Sequence, residues 1–175
     1  SSGSNRVGIV LNQACHMPRS EHPADVAATY FADGRYNRWF LDPLAGRGYP
    51  VDVVDALGWD QAAIEQGDLE EIARPMDALG VNYYTRGRFR AGDGLFEGVE
   101  EPGLPVTDMG WEVYPQGLPE VLDDLARRYR LPPIYITENG CAYDDPVIDG
   151  RVHDPRLPPD PGGLNGGTRG GCLRI

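Results

Sequence analysis

The segment Pro132-Pro133-Ile134-Tyr135-Ile136-Thr137-Glu138-Asn139-Gly140 constrains this chain more than any other. Two prolines end whatever helix precedes them, and a short apolar run then stops abruptly at a carboxylate. The run reads as a buried strand. Strand side chains alternate with period two, which puts Ile134, Ile136 and Glu138 on one face. Asn139-Gly140 turns the chain at the tip, where glycine readily supplies a positive φ. α/β barrels carry their chemistry at the C-terminal tips of buried parallel strands, so Glu138 is a candidate catalytic group. A strand-capping glutamate paired with an arginine has the same local pattern.

The order of elements around this strand narrows the fold class. Val7-Gly8-Ile9-Val10-Leu11 is a continuous apolar run, which predicts a strand covered on both faces. Residues 12–22 read as a polar loop, with His16 and His22 solvated. Pro23 then opens a helix with Asp25 near its positive end. Val26, Ala27, Tyr30, Phe31, Gly34, Leu41 and Leu44 follow the helical period and predict its packed face. Residues 45–60 read as irregular, and a short acidic-starting helix follows from about Asp68. Leu79-Gly80-Val81-Asn82-Tyr83-Tyr84-Thr85 predicts a second strand, with Asn82 and Tyr84 on one face and Val81, Tyr83 and Thr85 on the other. Residues 86–110 form a long loop, a length usually kept for function. Leu118, Val121, Leu122, Leu125 and Tyr129 make a clear helical stripe, with acidic residues early and Arg127, Arg128 and Arg130 late, complementing the helix dipole. Strand, helix, strand, helix, strand implies parallel strands with right-handed crossovers, a piece of an α/β sheet or barrel.

Composition excludes several alternatives. The chain has 175 residues, 27 acidic against 16 basic, for a net charge of −11. That balance argues against partners such as nucleic acid or a membrane surface, since both demand basic patches. No apolar run approaches the roughly 18 residues of a spanning helix. The segment Ser1–Arg6 is not followed by a signal-peptide core. Cys15, Cys141 and Cys172 are too few and too scattered for a disulfide framework or a metal site, and His16, His22 and His153 likewise lack metal-ligand spacing. The odd count fits a reducing, cytoplasmic setting.

Several segments, taken in order, give the chain a family resemblance. They are Gly8-Ile9-Val10-Leu11-Asn12, Tyr36-Asn37-Arg38-Trp39-Phe40-Leu41-Asp42-Pro43-Leu44, Leu79-Gly80-Val81-Asn82-Tyr83-Tyr84-Thr85, residues 107–118 and Ile136-Thr137-Glu138-Asn139-Gly140. Together they resemble glycoside hydrolase family 1, the β-glucosidases, over roughly residues 6–154. The resemblance implies an α/β fold, a partial TIM (β/α)8 barrel made of units five, six and seven. It implies Glu138 as the catalytic nucleophile, Tyr84 as the phenol that orients that carboxylate, and Asn82 nearby in the sugar site. Asn82 and Tyr84 as ordinary lumen filling is the competing reading. Trp111 is either a sugar platform or a core residue. The implied reaction is retaining hydrolysis of a terminal β-linked sugar, a β-glucoside, without metal or organic cofactor.

The chain also departs from the family pattern. The acid/base glutamate there lies in an Asn-Glu-Pro motif, and no such tripeptide occurs here. The Glu101-Pro102 pair sits in the 86–110 loop and is not a substitute. The acid/base group is therefore expected outside this chain, and the isolated chain is expected to be inactive or to need a complementary barrel half. Three open strands leave two unpaired edges and expose Ile134, Ile136 and Tyr84 to the lumen, which predicts marginal stability. Residues 1–154 are expected to form the partial barrel domain. Ten of the residues in 155–175 are Gly or Pro, which predicts a disordered tail. All 16 basic residues are arginine, the mark of GC-rich coding DNA, and the abrupt change of composition fits a shifted reading frame. A non-catalytic carbohydrate-binding or assembly piece, and a nonfunctional gene remnant, remain the alternatives to an enzyme.

Overall fold

The computed structural model describes residues 5–154, so the expectation of a disordered tail lies outside the described residues. The organising element is a parallel sheet of three strands, β1 (Gly8–Asn12), β3 (Ala78–Tyr83) and β6 (Ile134–Asn139), in the spatial order β1-β3-β6. Among the described residues the sheet is open and does not close into a barrel. A second small sheet joins β2 (Cys15–Pro18), β4 (Arg86–Arg90) and β5 (Glu97–Gly98), and a hairpin of β7 (Val147–Ile148) and β8 (Arg151–Val152) follows. The 12–22 and 86–110 segments are therefore not plain loops. Their strands find each other across the sequence, in parallel register from Cys15 opposite Arg86 to Pro18 opposite Phe89.

Helix α5 (Gly117–Arg128) forms where its stripe predicts. Leu118, Val121, Leu125 and Tyr129 are buried against Leu11, Leu79, Val81, Tyr83 and Leu41, with Leu122 partly buried beside them. This is the main core, and it lies on one face of the sheet only. Strand β1 shows the cost of that one-sidedness. It is an edge strand with an uncovered second face, so Leu11 is buried while Val10 is half exposed. The expectation of a strand covered on both faces does not hold for this chain.

Helix α1 (Pro23–Asp33) begins with Pro23 at its first turn, and His22 accepts the Ala24 amide through Nδ1. It continues through a π-helical turn, Gly34–Arg38, into α2 (Trp39–Leu44). Gly34 and Leu41 are buried as expected, with Leu44 packed on the core, but the packed face of α1 itself differs from the expected one. Ala28, Thr29, Ala32 and Asp33 are buried, whereas Val26 and Tyr30 are exposed. The reason is a polar cluster beneath the helix. Asp33 receives Asn37 at 2.9 Å and Arg128 at 2.7 Å, and His16 Nδ1 lies 3.7 Å from it. His16 itself is buried, not solvated, edge-on to Phe89 with ring centres 5.2 Å apart. Gly34 must lack a side chain, since a Cβ there would come within 2.6 Å of Val53 Cγ2.

Residues 45–60 also hold an unexpected helix, α3 (Val51–Leu57). Its valines disfavour a helix intrinsically, but burial of Val53 and Val54 and the Arg38–Asp52 ion pair at 2.7 Å hold it in place. The acidic-starting helix α4 (Asp68–Ile72) forms as read.

Candidate active site

The site lies at the C-terminal tips of β3 and β6, on the face of the sheet opposite α5. Period-two alternation works along β3: Leu79, Val81 and Tyr83 enter the core, while Gly80 and Asn82 face the open side. Along β6 it fails. Ile134 pairs with Leu79, and Ile136 with Val81, on the core face, but the register then shifts so that Asn82 pairs with Glu138. Thr137 is the extra residue of a β-bulge, and bulges re-aim side chains in this way. Ile134 and Ile136 therefore point towards the helices, and Glu138 points to the other side. The expectations that the three share a face, and that both isoleucines look into the lumen, are corrected by this one inserted position. Strand β6 is also an exposed edge rather than a buried strand.

Tyr84 follows β3, and its hydroxyl donates a hydrogen bond to Glu138 Oε2. That bond, joined by partial burial and the negative charge of Glu138, pushes the Tyr84 phenol above its usual range. Glu138 enters no ion pair among the described residues, so the reading of it as an arginine-bound strand cap has no support. Asn82, although paired with Glu138 in the ladder, directs its side chain to other partners. It is buried one layer below, where its Oδ1 accepts from Thr137 Oγ1 at 2.6 Å and its Nδ2 donates to Asn12 Oδ1 at 2.9 Å. An amide has two N–H donors, so one of them is left for another partner.

Trp111 stands beside Tyr84, with ring centres 5.6 Å apart at 54°, and is 39% exposed. It is a wall residue, not a core one. Tyr84, Trp111, Asn82, Asn12, Tyr36 and Phe40 line an open cleft of about 570 Å³. Aromatic walls with a few polar groups suit a polyhydroxylated ring. Asn12 and Thr137 are contributions that the residue-by-residue reading left unassigned. The signal for Asn12 was available, as the last residue of a strand in register with Asn82. Thr137 had no such signal, because a bulge is invisible to a period-two pattern. Glu101 is excluded from the site, since it is ion-paired with Arg88 beside the second sheet.

A second layer anchors the segment that carries Tyr84. Tyr83 Oη donates to the Tyr114 carbonyl at 2.7 Å, and Thr85 Oγ1 donates to the Glu112 carbonyl at 2.8 Å. Tyr114 in turn donates to Glu120 Oε1 at 2.9 Å, and Cys15 Sγ donates to Glu120 Oε2 at 3.0 Å. Burial, with the Glu120 carboxylate beside it, pushes the Cys15 thiol up to about 12, so this cysteine is a structural donor and not a nucleophile. No group of His, Cys, Asp or Glu among the described residues has the arrangement of a metal site.

The arrangement is that of an α/β protein with its polar groups gathered at the C-terminal tips of parallel strands. The family described as glycosyl hydrolase family 1 matches residues 2–157. A β-glucosidase from Agrobacterium sp. is 40% identical over 160 residues, covering 86% of this chain and 34% of that protein. β-Glucosidase A of Thermotoga maritima is 36% identical over 154 residues, covering 85% and 34%. The crystal structure of a β-glucosidase from Exiguobacterium marinum superposes with a TM-score of 0.81 at 35% identity, covering 88% of this chain and 36% of that one. The chain belongs to glycosyl hydrolase family 1. It spans about a third of the length of the curated relatives it matches.

Proposed function

We propose that this chain supplies the nucleophile wall of a retaining β-glycosidase site, with Glu138 as nucleophile, Tyr84 as its orienting phenol and Asn82 as a sugar-side amide. The supporting observation is the Tyr84–Glu138 hydrogen bond at the strand tips. In this reading β1, β3 and β6 are units five, six and seven of a (β/α)8 barrel, and the substrate is a terminal β-linked sugar, glucose foremost. One Glu138 oxygen attacks the anomeric carbon as the bond to the leaving oxygen breaks, giving a glycosyl ester. A second carboxyl, about 5–5.5 Å away in such enzymes, protonates the leaving oxygen and then activates the water that cleaves the ester and restores Glu138. Tyr84 holds the attacking carboxylate in one direction throughout.

The second carboxyl belongs to the part of the barrel outside these three units. The exposed outer edges of β1 and β6 favour a site completed by further strands, whether in the same chain or in a complementary one. Losing the general acid typically costs about 10²–10⁴-fold, so activated leaving groups are the fair probe. The test is to incubate the protein with 2,4-dinitrophenyl 2-deoxy-2-fluoro-β-glucoside, which needs no protonation to react, and to map the adduct by mass spectrometry. One glycosyl group on the peptide containing Glu138 is the expected result. An adduct on another residue, or none, would overturn the assignment.

A further inference from the structure

Glu138 stands on a strand whose ladder is interrupted one residue earlier, so backbone pairing alone does not fix where its carboxylate points. The residues on either side of it supply the missing connections. Thr137 Oγ1 donates to Asn82 Oδ1 at 2.6 Å, and Asn139 Nδ2 donates to the Tyr83 carbonyl at 2.7 Å. The two bonds land on consecutive residues of β3, immediately before Tyr84. Both landing points are themselves held: Asn82 by Asn12 at 2.9 Å, and Tyr83 by the Tyr114 carbonyl at 2.7 Å. Gly80 leaves the space that the bulged residue fills, since a Cβ there would lie 2.9 Å from Thr137 Cγ2.

We infer that Thr137 and Asn139 are positioning residues that clamp the tip of β6 to β3 on both sides of Glu138 and so set the spacing between its carboxylate and the Tyr84 hydroxyl. The consequence for reaction rests on Glu138 being the nucleophile; the geometric claim does not. Without the Thr137 bond the bulge is free to slide back into register, which would turn Glu138 towards the helix face. Without the Asn139 bond the tip is free to lift away from Tyr84. A misplacement of about 1 Å at a reacting group costs on the order of 10²-fold.

The test compares Thr137→Val and Asn139→Leu with Thr137→Ser, which keeps the hydroxyl. Two quantities are read in each protein: the titration of Tyr84 by ¹³Cζ-tyrosine NMR, assigned with Tyr84→Phe, and the rate of labelling by the fluoroglucoside. Thr137→Val and Asn139→Leu should bring Tyr84 back towards an ordinary tyrosine and slow labelling roughly 10- to 100-fold. Thr137→Ser should match the parent in both. If either of the first two melts earlier yet keeps the parent titration and labelling rate, the residues are merely structural and the inference falls. If one variant does not fold, the other decides. A parent protein that is not labelled refutes the nucleophile assignment, while its Tyr84 titration still decides the positioning claim. A parent Tyr84 that titrates as an ordinary tyrosine overturns that claim directly.

Discussion

The two faces of the β1-β3-β6 sheet are built on the same backbone and held by different physics. The helix-side face is dry and redundant: Leu79 and Val81 are almost inaccessible within one apolar cluster that also holds Leu11 of β1 and Leu118, Val121 and Leu125 of α5. On the open face aromatic walls flank a few polar groups, and Asn82, Thr137 and Glu138 are held there by one or two directional bonds each. Hydrophobic burial is non-directional and sums over many contacts, so it decides whether the sheet exists. Hydrogen bonds contribute little net stability but fix direction, so they decide where Glu138 points. Substitutions on the two faces should therefore separate stability from chemistry.

The largest separation is expected from Glu138→Gln. Covalent labelling by the fluoroglucoside should vanish, while the thermal midpoint stays within a few degrees, because this side chain is exposed. A residual adduct of equal yield would break the comparison. Leu125→Ala should do the reverse. Deleting a buried leucine costs about 2–5 kcal/mol, read as a lower urea midpoint, with labelling unchanged in whatever fraction remains folded. Tyr84→Phe should slow labelling roughly tenfold, about 1.4 kcal/mol, with stability unchanged to within about 0.5 kcal/mol. If it destabilises as much as Leu125→Ala, the open face is part of the core after all.

A smaller effect sharpens the contrast in the polar cluster beneath α1. Burial alone would raise the Asp33 carboxyl, but interaction with His16, the charge of Arg128 and the Asn37 amide outweigh it and hold it below the usual value. Arg38 also faces it, at 3.3 Å. A carboxyl lowered in the folded state contributes stability that is fully present above its unfolded value, about pH 3.9, and is lost as pH falls through the folded value. Asp33→Asn should flatten that acid limb of stability in urea titrations carried downward from about pH 4. The smallest expected change is Tyr83→Phe, about 1 kcal/mol for one buried hydroxyl bond, measured by the same denaturation.

The contrast between faces also explains what could be read in advance. Helix α5 was legible because its stripe, dipole charges and proline stop all agree. The α1 face was not, since its buried side is polar: Thr29, Asp33, Asn37 and Arg38 enter a cluster completed by Arg128, 95 residues beyond Asp33. Helix α3 carries boundary signals of its own, Pro50 before it and Gly58 after it at φ 58°, but no apolar stripe long enough to stand out. The pairing of β2 with β4 joins residues some 70 positions apart, and neither strand has enough apolar character to announce itself.

The family was identifiable from its motifs, and the same motifs name Glu138, Tyr84 and Asn82 as the candidate site groups. Sequence by itself determined which chemical groups stand at the strand tips, because period-two and helical patterns are local and the motif residues are contiguous. Tertiary structure alone decided their arrangement: Glu138 facing Tyr84, Asn82 one layer beneath, and both isoleucines turned to the helices. The physical reason is the bulge at Thr137. A register shift arises from pairing between distant strands, and no local pattern encodes it.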